Sequence, residues 1–363
     1  MGSGLILTAA NARDNSQLRM MNKQFAANRE LQLASINHNG DPMELILQKA
    51  GLSRKMGVNQ GLSPADAYRE FDSTTKIEQV PAGEFALLSR VLNTSRSVNI
   101  GRTVYEYRKA SDAHDGKTSL NGQNGIALDH VDYDYDGSII PIHDAAFGRN
   151  WREYQSMTAE GFDSMVDDAR EKERGLMNTA NTYMWEGDAS LVVKGKSWLG
   201  IKGDPSVVNV ELNTNLVTGT PNEIYNEIRT QLDVLYITNN CTNPLDLVIS
   251  REAMSYWQTP FTVQTGGGDG VDSRFGSILD MVRSLRGINS VMEDSYLTGS
   301  QMALLWINLQ GFSSLIGQGL STYAVPRLMH NSDFSFIKWM AAGFMVKTDF
   351  SGRTCALYGD DTV

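Results

Sequence analysis

The stretch from Thr158 to Asp188, TAEGFDSMVDDAREKERGLMNTANTYMWEGD, constrains the fold more than any other part of the chain. Apolar side chains recur at Phe162, Met165, Val166, Ala169, Leu176, Met177, Ala180, Tyr183 and Met184. That spacing of three and four lays one stripe along a helix of roughly seven turns. Asp167, Asp168, Arg170, Glu171, Lys172 and Arg174 fall on the other face. Thr158 is placed to cap the first turn, Glu160 and Asp163 suit its positive end, and Gly187 can leave the helix with positive φ. Globular helices average about three turns, so a helix this long acts as a spine that carries other layers.

A chain of 363 residues exceeds what one hydrophobic core holds, and two or three subdomains around shared elements are expected. The formal charge of −10 and pI near 5.1 argue against a surface that grips phosphates and against a polybasic membrane binder. No run of about eighteen apolar residues exists to cross a bilayer. The start, MGSGLILTAANARDN, is too polar for a signal peptide, so a soluble chain made in a cytosol is expected. The chain begins with Met1, which sets the expectation that no leader segment has been removed. Cys241 and Cys355 lie far apart with no CxxC or Cys/His spacing, and each is expected to be a reduced packing residue.

Residues 1 to about 60 are polar and rich in Asn, Gln, Arg and Met, with short helical stretches at Gln17 to Ser35 and Pro42 to Ala50. Too few positions there can build a private core, so the segment reads as an arm that lies on something else. Ser63 to Leu92 opens with a capping pattern and ends in a helical Phe85, Leu88, Val91 stripe. Between 98 and 145, two alternating runs, VNIGRTVYEYRKA and HVDYDYDGSIIPIHD, flank a polar tip and predict a long hairpin. Its faces carry tyrosines and carboxylates, so it needs cover from outside the subunit. After the spine, Leu191 to Val207 is turn-rich, and Thr220 to Asn239 is an amphipathic helix with Ile224, Ile228, Leu232 and Leu235 inward. A buried strand PLDLVISREAMSYW, a helix SRFGSILDMVRSLRG carrying Phe275, Ile278, Leu279, Val282 and Leu285, and strands NSVMEDSYL and QMALLWIN complete an α/β layer of about one hundred residues. The closing stretch is expected to end in a strand pair, KWMAAGFMVKTDF and RTCALYG, returning beneath the spine.

Signals for chemistry are thin. Asp132, Asp134, Asp136 and Gly137 match the opening of a calcium loop, but the twelfth position is His143 where a bidentate Glu is required. The expected alternative is a strand with the aspartates outward and Val131, Tyr133 and Tyr135 inward. Tyr358, Gly359, Asp360 and Asp361 imitate a polymerase YGDD but are expected to form a charged, solvated tail. Gly266, Gly267, Gly268, Asp269 and Gly270 lack the GK[ST] of a phosphate loop. His38, His114, His130, His143 and His330 are scattered and expected to be surface or structural. No catalytic, cofactor-binding or metal-binding residues are assigned, and no enzyme activity is expected.

The order of parts, with a WxGD turn at Trp185, Glu186, Gly187 and Asp188 and an LGI segment at Leu199, Gly200 and Ile201, resembles the major capsid proteins of tailed bacteriophages. These have the α+β Hong Kong 97-type fold, which encapsulin nanocompartment shells share. The resemblance covers about Ser63 to Gly359. It implies an N-terminal arm with a linking helix at 1–97, an extended loop at 98–150, a peripheral domain at 151–214 and 326–363 built on the spine, and an axial domain at 215–325. It further implies a structural protein that self-assembles as hexamers and pentamers into an icosahedral head around double-stranded DNA. Its partners would be copies of itself, a portal protein, and scaffolding or decoration proteins, with no membrane, in the virion after assembly in a host cytoplasm. The long arm suits a viral capsid better than an encapsulin-like cargo shell, and a soluble α+β oligomer with an unrecognised site is the alternative outside the fold. Some relatives link a loop lysine to a neighbour's asparagine. Lys109 and Lys117 are the hairpin's only lysines, and a shell held without covalent links is expected.

Overall fold

The computed structural model describes residues 20, 23–30, 78–113, 118, 120, 130–159, 164–264 and 273–361. Two units divide the chain, Met1–Thr74 and Thr75–Val363. In the first, residues 23–30 are helical and exposed. The remaining expectations for the arm, and most of the hairpin tip, lie outside the described residues.

In chain order the second unit begins with α1 (Ala86–Asn93), β1 (Ser95–Ser97), β2 (Val104–Ala110), β3 (Tyr133–Ile139) and β4 (Ile142–Arg149). Two helices follow, α2 (Trp151–Ala159) and the spine α3 (Ser164–Glu186), then a single turn α4 (Gly200–Gly203), β5 (Val208–Glu211) and α5 (Pro221–Asp233). Next come β6 (Leu245–Ile249), α6 (Arg251–Trp257), β7 (Pro260–Gln264), β8 (Ser273–Ser277), α7 (Ile278–Arg283), β9 (Ile288–Glu293) and β10 (Met302–Leu305). The long β11 (Phe312–Ala324) and β12 (Phe334–Val346) precede β13 (Ala356–Asp360).

The described part of the spine runs from Ser164, and residues 160–163 lie outside the described residues. Thr158, expected to cap the spine, sits instead in α2 and donates its hydroxyl to the Tyr154 carbonyl at 2.8 Å. Val166 is exposed, whereas Leu176, Ala180, Tyr183, Met184 and Trp185 are buried as the stripe requires. The polar face also works inward. Lys338 of β12, itself buried, donates to the Ala169 carbonyl at 2.8 Å and to Glu173 at 2.6 Å. Arg149 of β4 holds Asp168 in a bidentate pair at 2.6 and 3.0 Å, a geometry that fixes orientation as well as distance.

A four-stranded sheet, β1-β11-β12-β4, lies against the spine, and a five-stranded mixed sheet, β5-β13-β10-β6-β9, forms the second layer. The second sheet is buried on both faces. Val248, Ala303, Leu305, Ala356 and Tyr358 join the core beneath α1 and the spine, while Leu247, Ile249, Met302, Leu304 and Leu357 join the core under α5, α6 and α7. Double burial explains why β6 and β10 read as unbroken apolar runs without alternation. Asp246 is the buried exception, and it accepts from Arg90 at 2.9 Å, Asn289 at 2.8 Å and Ser290 at 2.6 Å. α5 opens with a capping box between Thr220 and Glu223 and runs on into a π-helical turn, Val234–Thr238. Ile224, Ile228, Leu232 and Leu235 face inward as expected.

Four local expectations change. The run PLDLVISREAMSYW is strand only to Ile249, because the Ser250 hydroxyl accepts from the Ala253 amide and starts α6. In SRFGSILDMVRSLRG, Phe275 lies in β8 and the helix starts at Ile278, capped by Ser277. β13 pairs with β10 and β5 and makes no pair with β12, so the closing strands belong to different sheets. Cys241 and Cys355 form a disulfide rather than standing reduced, their Cα atoms 5.5 Å apart across 114 residues of sequence.

Candidate assembly interface

The turn after the spine sets the frame. Gly187 leaves the helix at φ +66° and Gly200 enters α4 at φ +79°, both in the left-handed region. The two glycines face each other's backbone: a Cβ on Gly187 would stand 2.3 Å from the Trp198 carbonyl oxygen, and one on Gly200 2.3 Å from that of Trp185. The Asp188 amide donates to the Trp198 carbonyl at 3.0 Å, and the Trp198 indole donates to the Tyr183 carbonyl at 3.0 Å. Trp185 and Trp198 are thereby driven into one core, Trp185 stacked on Tyr296 with ring centroids 5.8 Å apart.

The hairpin of β2 and β3 rises from this frame as a two-stranded antiparallel ribbon. Its register assigns the faces. Tyr105 lies opposite Ser138, Tyr107 opposite Asp136, and Lys109 opposite Asp134, and these share one side. Glu106, Arg108 and Ala110 lie opposite Gly137, Tyr135 and Tyr133 on the other.

The first side is anchored. Tyr105 and Tyr107 pack on the four-stranded sheet, and the Tyr107 hydroxyl accepts from the Thr348 amide at 2.9 Å. Asp136 bridges Lys109 of its own ribbon at 2.8 Å and Lys196 of the turn after the spine at 2.9 Å. Burial opposes ionisation of Asp136, but hydrogen bonds from Lys109, Lys196 and the Gly137 amide outweigh it and hold the carboxyl below its usual range.

The second side is open. Tyr133 and Tyr135 are each 59% exposed, with the Arg108 guanidinium 5.4 Å from the Tyr133 ring centroid. This reverses the expectation that both tyrosines turn inward: Tyr105 and Tyr107 have taken the inner face. Tyrosine and arginine are the residue types that dominate binding energy in protein interfaces. At the far end of the β11–β12 hairpin, Leu328 and Met329 also stand free, while Arg327 braces their turn by donating to the carbonyls of His330 and Ser332.

The motifs singled out for chemistry do not converge. Asp132, Asp134 and Asp136 lie along an extended segment rather than a loop, and among the described residues no group of three His, Cys, Asp or Glu side chains is placed to hold a metal. Tyr358 and Gly359 are buried in a central strand, not in a solvated tail, and Asp360 accepts from Gln301 at 3.1 Å. His143 is buried against Tyr183, and burial keeps its imidazole below its usual pKa. His130 and His330 are exposed, while His38, His114 and the 266–270 glycine loop lie outside the described residues. Among the described residues no helix is long and apolar enough to cross a membrane.

A family model described as a family of unknown function (DUF6260) matches residues 56–359. The chain belongs to that family. No curated protein matches it. Among solved structures, the capsid of Myoviridae phage XM1 is 13% identical with a TM-score of 0.60, over 84% of this chain and 100% of that one. The capsid of a native GTA particle is 13% identical with a TM-score of 0.51, covering 84% of this chain and 100% of that one. A Gordonia phage Cozz structure is 10% identical at a TM-score of 0.52, covering 88% of this chain and 95% of that one. This member of DUF6260 therefore has the α+β fold of the Hong Kong 97-type phage capsid proteins, as the order of its parts implied.

Proposed function

We propose that the chain is the major capsid protein of a tailed phage, a structural subunit and not a catalyst, that assembles as hexamers and pentamers into an icosahedral head around double-stranded DNA. The observation that carries this reading is the ribbon of β2 and β3, fastened to the body on one face and presenting Tyr133, Tyr135 and Arg108 on the other. An isolated two-stranded ribbon is marginal in water, and repeated copies in closed symmetry let each subunit cover its neighbour's open surface. Residues 1–97 act as arm and linking helix, 98–150 as the extended loop, 151–214 with 326–363 as the peripheral domain, and 215–325 as the axial domain. Its partners are its own copies, a portal protein, and scaffolding or decoration proteins, and its site of action is the virion after assembly in the host cytoplasm. The net charge of −10 suits a container that does not hold its genome by phosphate contacts.

Replacing both Tyr133 and Tyr135 by Ser tests the reading. Each ring leaves roughly 100 Å² open, so its burial by a neighbour contributes about 1.5–3 kcal/mol at about 25 cal/mol per Å². The variant is expected to fold with near wild-type stability while the protein concentration needed for assembly rises at least roughly tenfold. Unchanged assembly in light scattering would remove the open ribbon face from the interface.

A further inference from the structure

Cys241 is buried just after the π-helical turn, whereas Cys355, immediately before β13, is half-buried. The Asn239 side chain donates to the Thr354 carbonyl at 2.9 Å and the Cys241 amide to the Leu235 carbonyl at 3.0 Å, so hydrogen bonds beside the cysteines fix the two segments that carry them. Cys355 lines a surface cleft of about 460 Å³. Lys347 and Arg353 line the same cleft with Asp349, and the Lys109 that also borders it is already engaged by Asp136. On a chain with a net charge of −10 this is a local inversion of sign, placed beside the more accessible cysteine. Trp306 and Phe350 supply apolar wall.

We propose that Cys241 and Cys355 form a thiol–disulfide exchange site, and that the cationic cleft admits anionic low-molecular-weight thiols and disulfides, of the class of glutathione, to Cys355. In the oxidising direction the Cys355 thiolate attacks one sulfur of the small disulfide RSSR and releases RS⁻, leaving a mixed disulfide Cys355–S–SR. The Cys241 thiolate then displaces the second RS⁻ and closes the protein disulfide. Two protein thiols are oxidised, one RSSR is reduced to two RSH, and the two protons pass to the leaving thiolates. The reverse sequence begins with RS⁻ attacking Cys355 and releasing buried Cys241. A chain synthesised in a reducing compartment would thus stay open until it meets an oxidised pool, and the bond would then tie the loop after α5 to the central strand.

The test uses the reduced full-length chain with three small disulfides: oxidised glutathione (anionic), hydroxyethyl disulfide (neutral) and cystamine (cationic). Each rate is normalised to that of a free cysteine peptide and followed by alkylation and mass spectrometry. Glutathione disulfide is expected to react roughly tenfold faster than cystamine at low salt, with the preference collapsing at high salt. The trapped mixed disulfide is expected on Cys355, and Arg353→Glu, at an exposed position, should erase the preference. Equal normalised rates, a mixed disulfide on Cys241, or thiols that react only once the chain is unfolded would each overturn the proposal. The wild-type series decides by itself should Arg353→Glu fold poorly.

Discussion

Gly200→Ala probes the junction that joins the spine to the rest of the molecule. Two costs add there. A left-handed backbone angle, φ +79°, carries roughly 1–2 kcal/mol for any residue with a Cβ. The new methyl would also stand 2.3 Å from the Trp185 carbonyl oxygen and 2.4 Å from the Glu186 carbonyl carbon. Both are backbone atoms of the spine's last turn, so relief requires the helix end and the Leu199–Gly200 segment to part by about 1 Å. That movement strains the Asp188-to-Trp198 hydrogen bond and loosens two fully buried tryptophans. The sum is about 3–5 kcal/mol. Gly195 supplies the control: it has φ +73° but nothing within 4 Å of a Cβ, so Gly195→Ala is expected to cost only the backbone term, about 1–2 kcal/mol. Denaturant unfolding followed by tryptophan fluorescence measures both, and in a thermal scan the larger loss lowers Tm by about 4–7 °C. If Gly200→Ala costs no more than Gly195→Ala, the close approach of the two glycines is not what holds the junction.

The remaining predictions concern a buried carboxyl and the chemistry of the shell. Asp294, fully buried, accepts the amides of Leu87 and Tyr296 at 3.2 and 2.9 Å, yet burial raises its carboxyl from 3.8 to about 6. A raised carboxyl keeps its proton in the folded state after the unfolded chain has lost it, so its contribution is full below about pH 4 and falls by about 3 kcal/mol as pH rises through 6. The stability difference between wild type and Asp294→Asn, taken from denaturant midpoints, should change by that amount between pH 4 and 7. A flat difference would show that Asp294 ionises normally. In denaturing gels with reductant, assembled particles should yield subunits near 40.1 kDa, because Lys109 is engaged by Asp136 at 2.8 Å. A ladder of multimers that survives boiling would contradict the non-covalent shell.

Sequence pattern located elements well wherever one face meets one core. The C-terminal half of the spine, from Leu176 to Met184, kept its three-and-four spacing because a single layer lies beneath it. The hairpin was legible from alternation, but period two fixes only which residues share a face. Which face turns inward was decided by Tyr105 and Tyr107 packing on Leu315, Ala341 and Met345, more than two hundred residues away in sequence. Burial on both faces hid the end of β6, where the usable signal was a serine cap, Ser250, ahead of Ala253, Met254 and Trp257. The strand at RTCALYG was legible and only its end was not: Asp360 and Asp361 make Tyr358 and Gly359 look like part of a solvated tail, although the sheet buries them. The disulfide had no local signature, since 114 residues separate its cysteines and only the sheet order brings them together. The WxGD and LGI segments carried the most information for their length, because their two glycines are demanded by backbone contact.

The central claim is that this chain builds closed shells, and electron microscopy of the purified full-length protein tests it most directly. The account predicts hollow icosahedral particles, or free capsomers with five and six subunits of 40.1 kDa each, in which the ribbon of one subunit lies over its neighbour. A monomer or a single small oligomer that forms no particle at any concentration, salt or pH would contradict it.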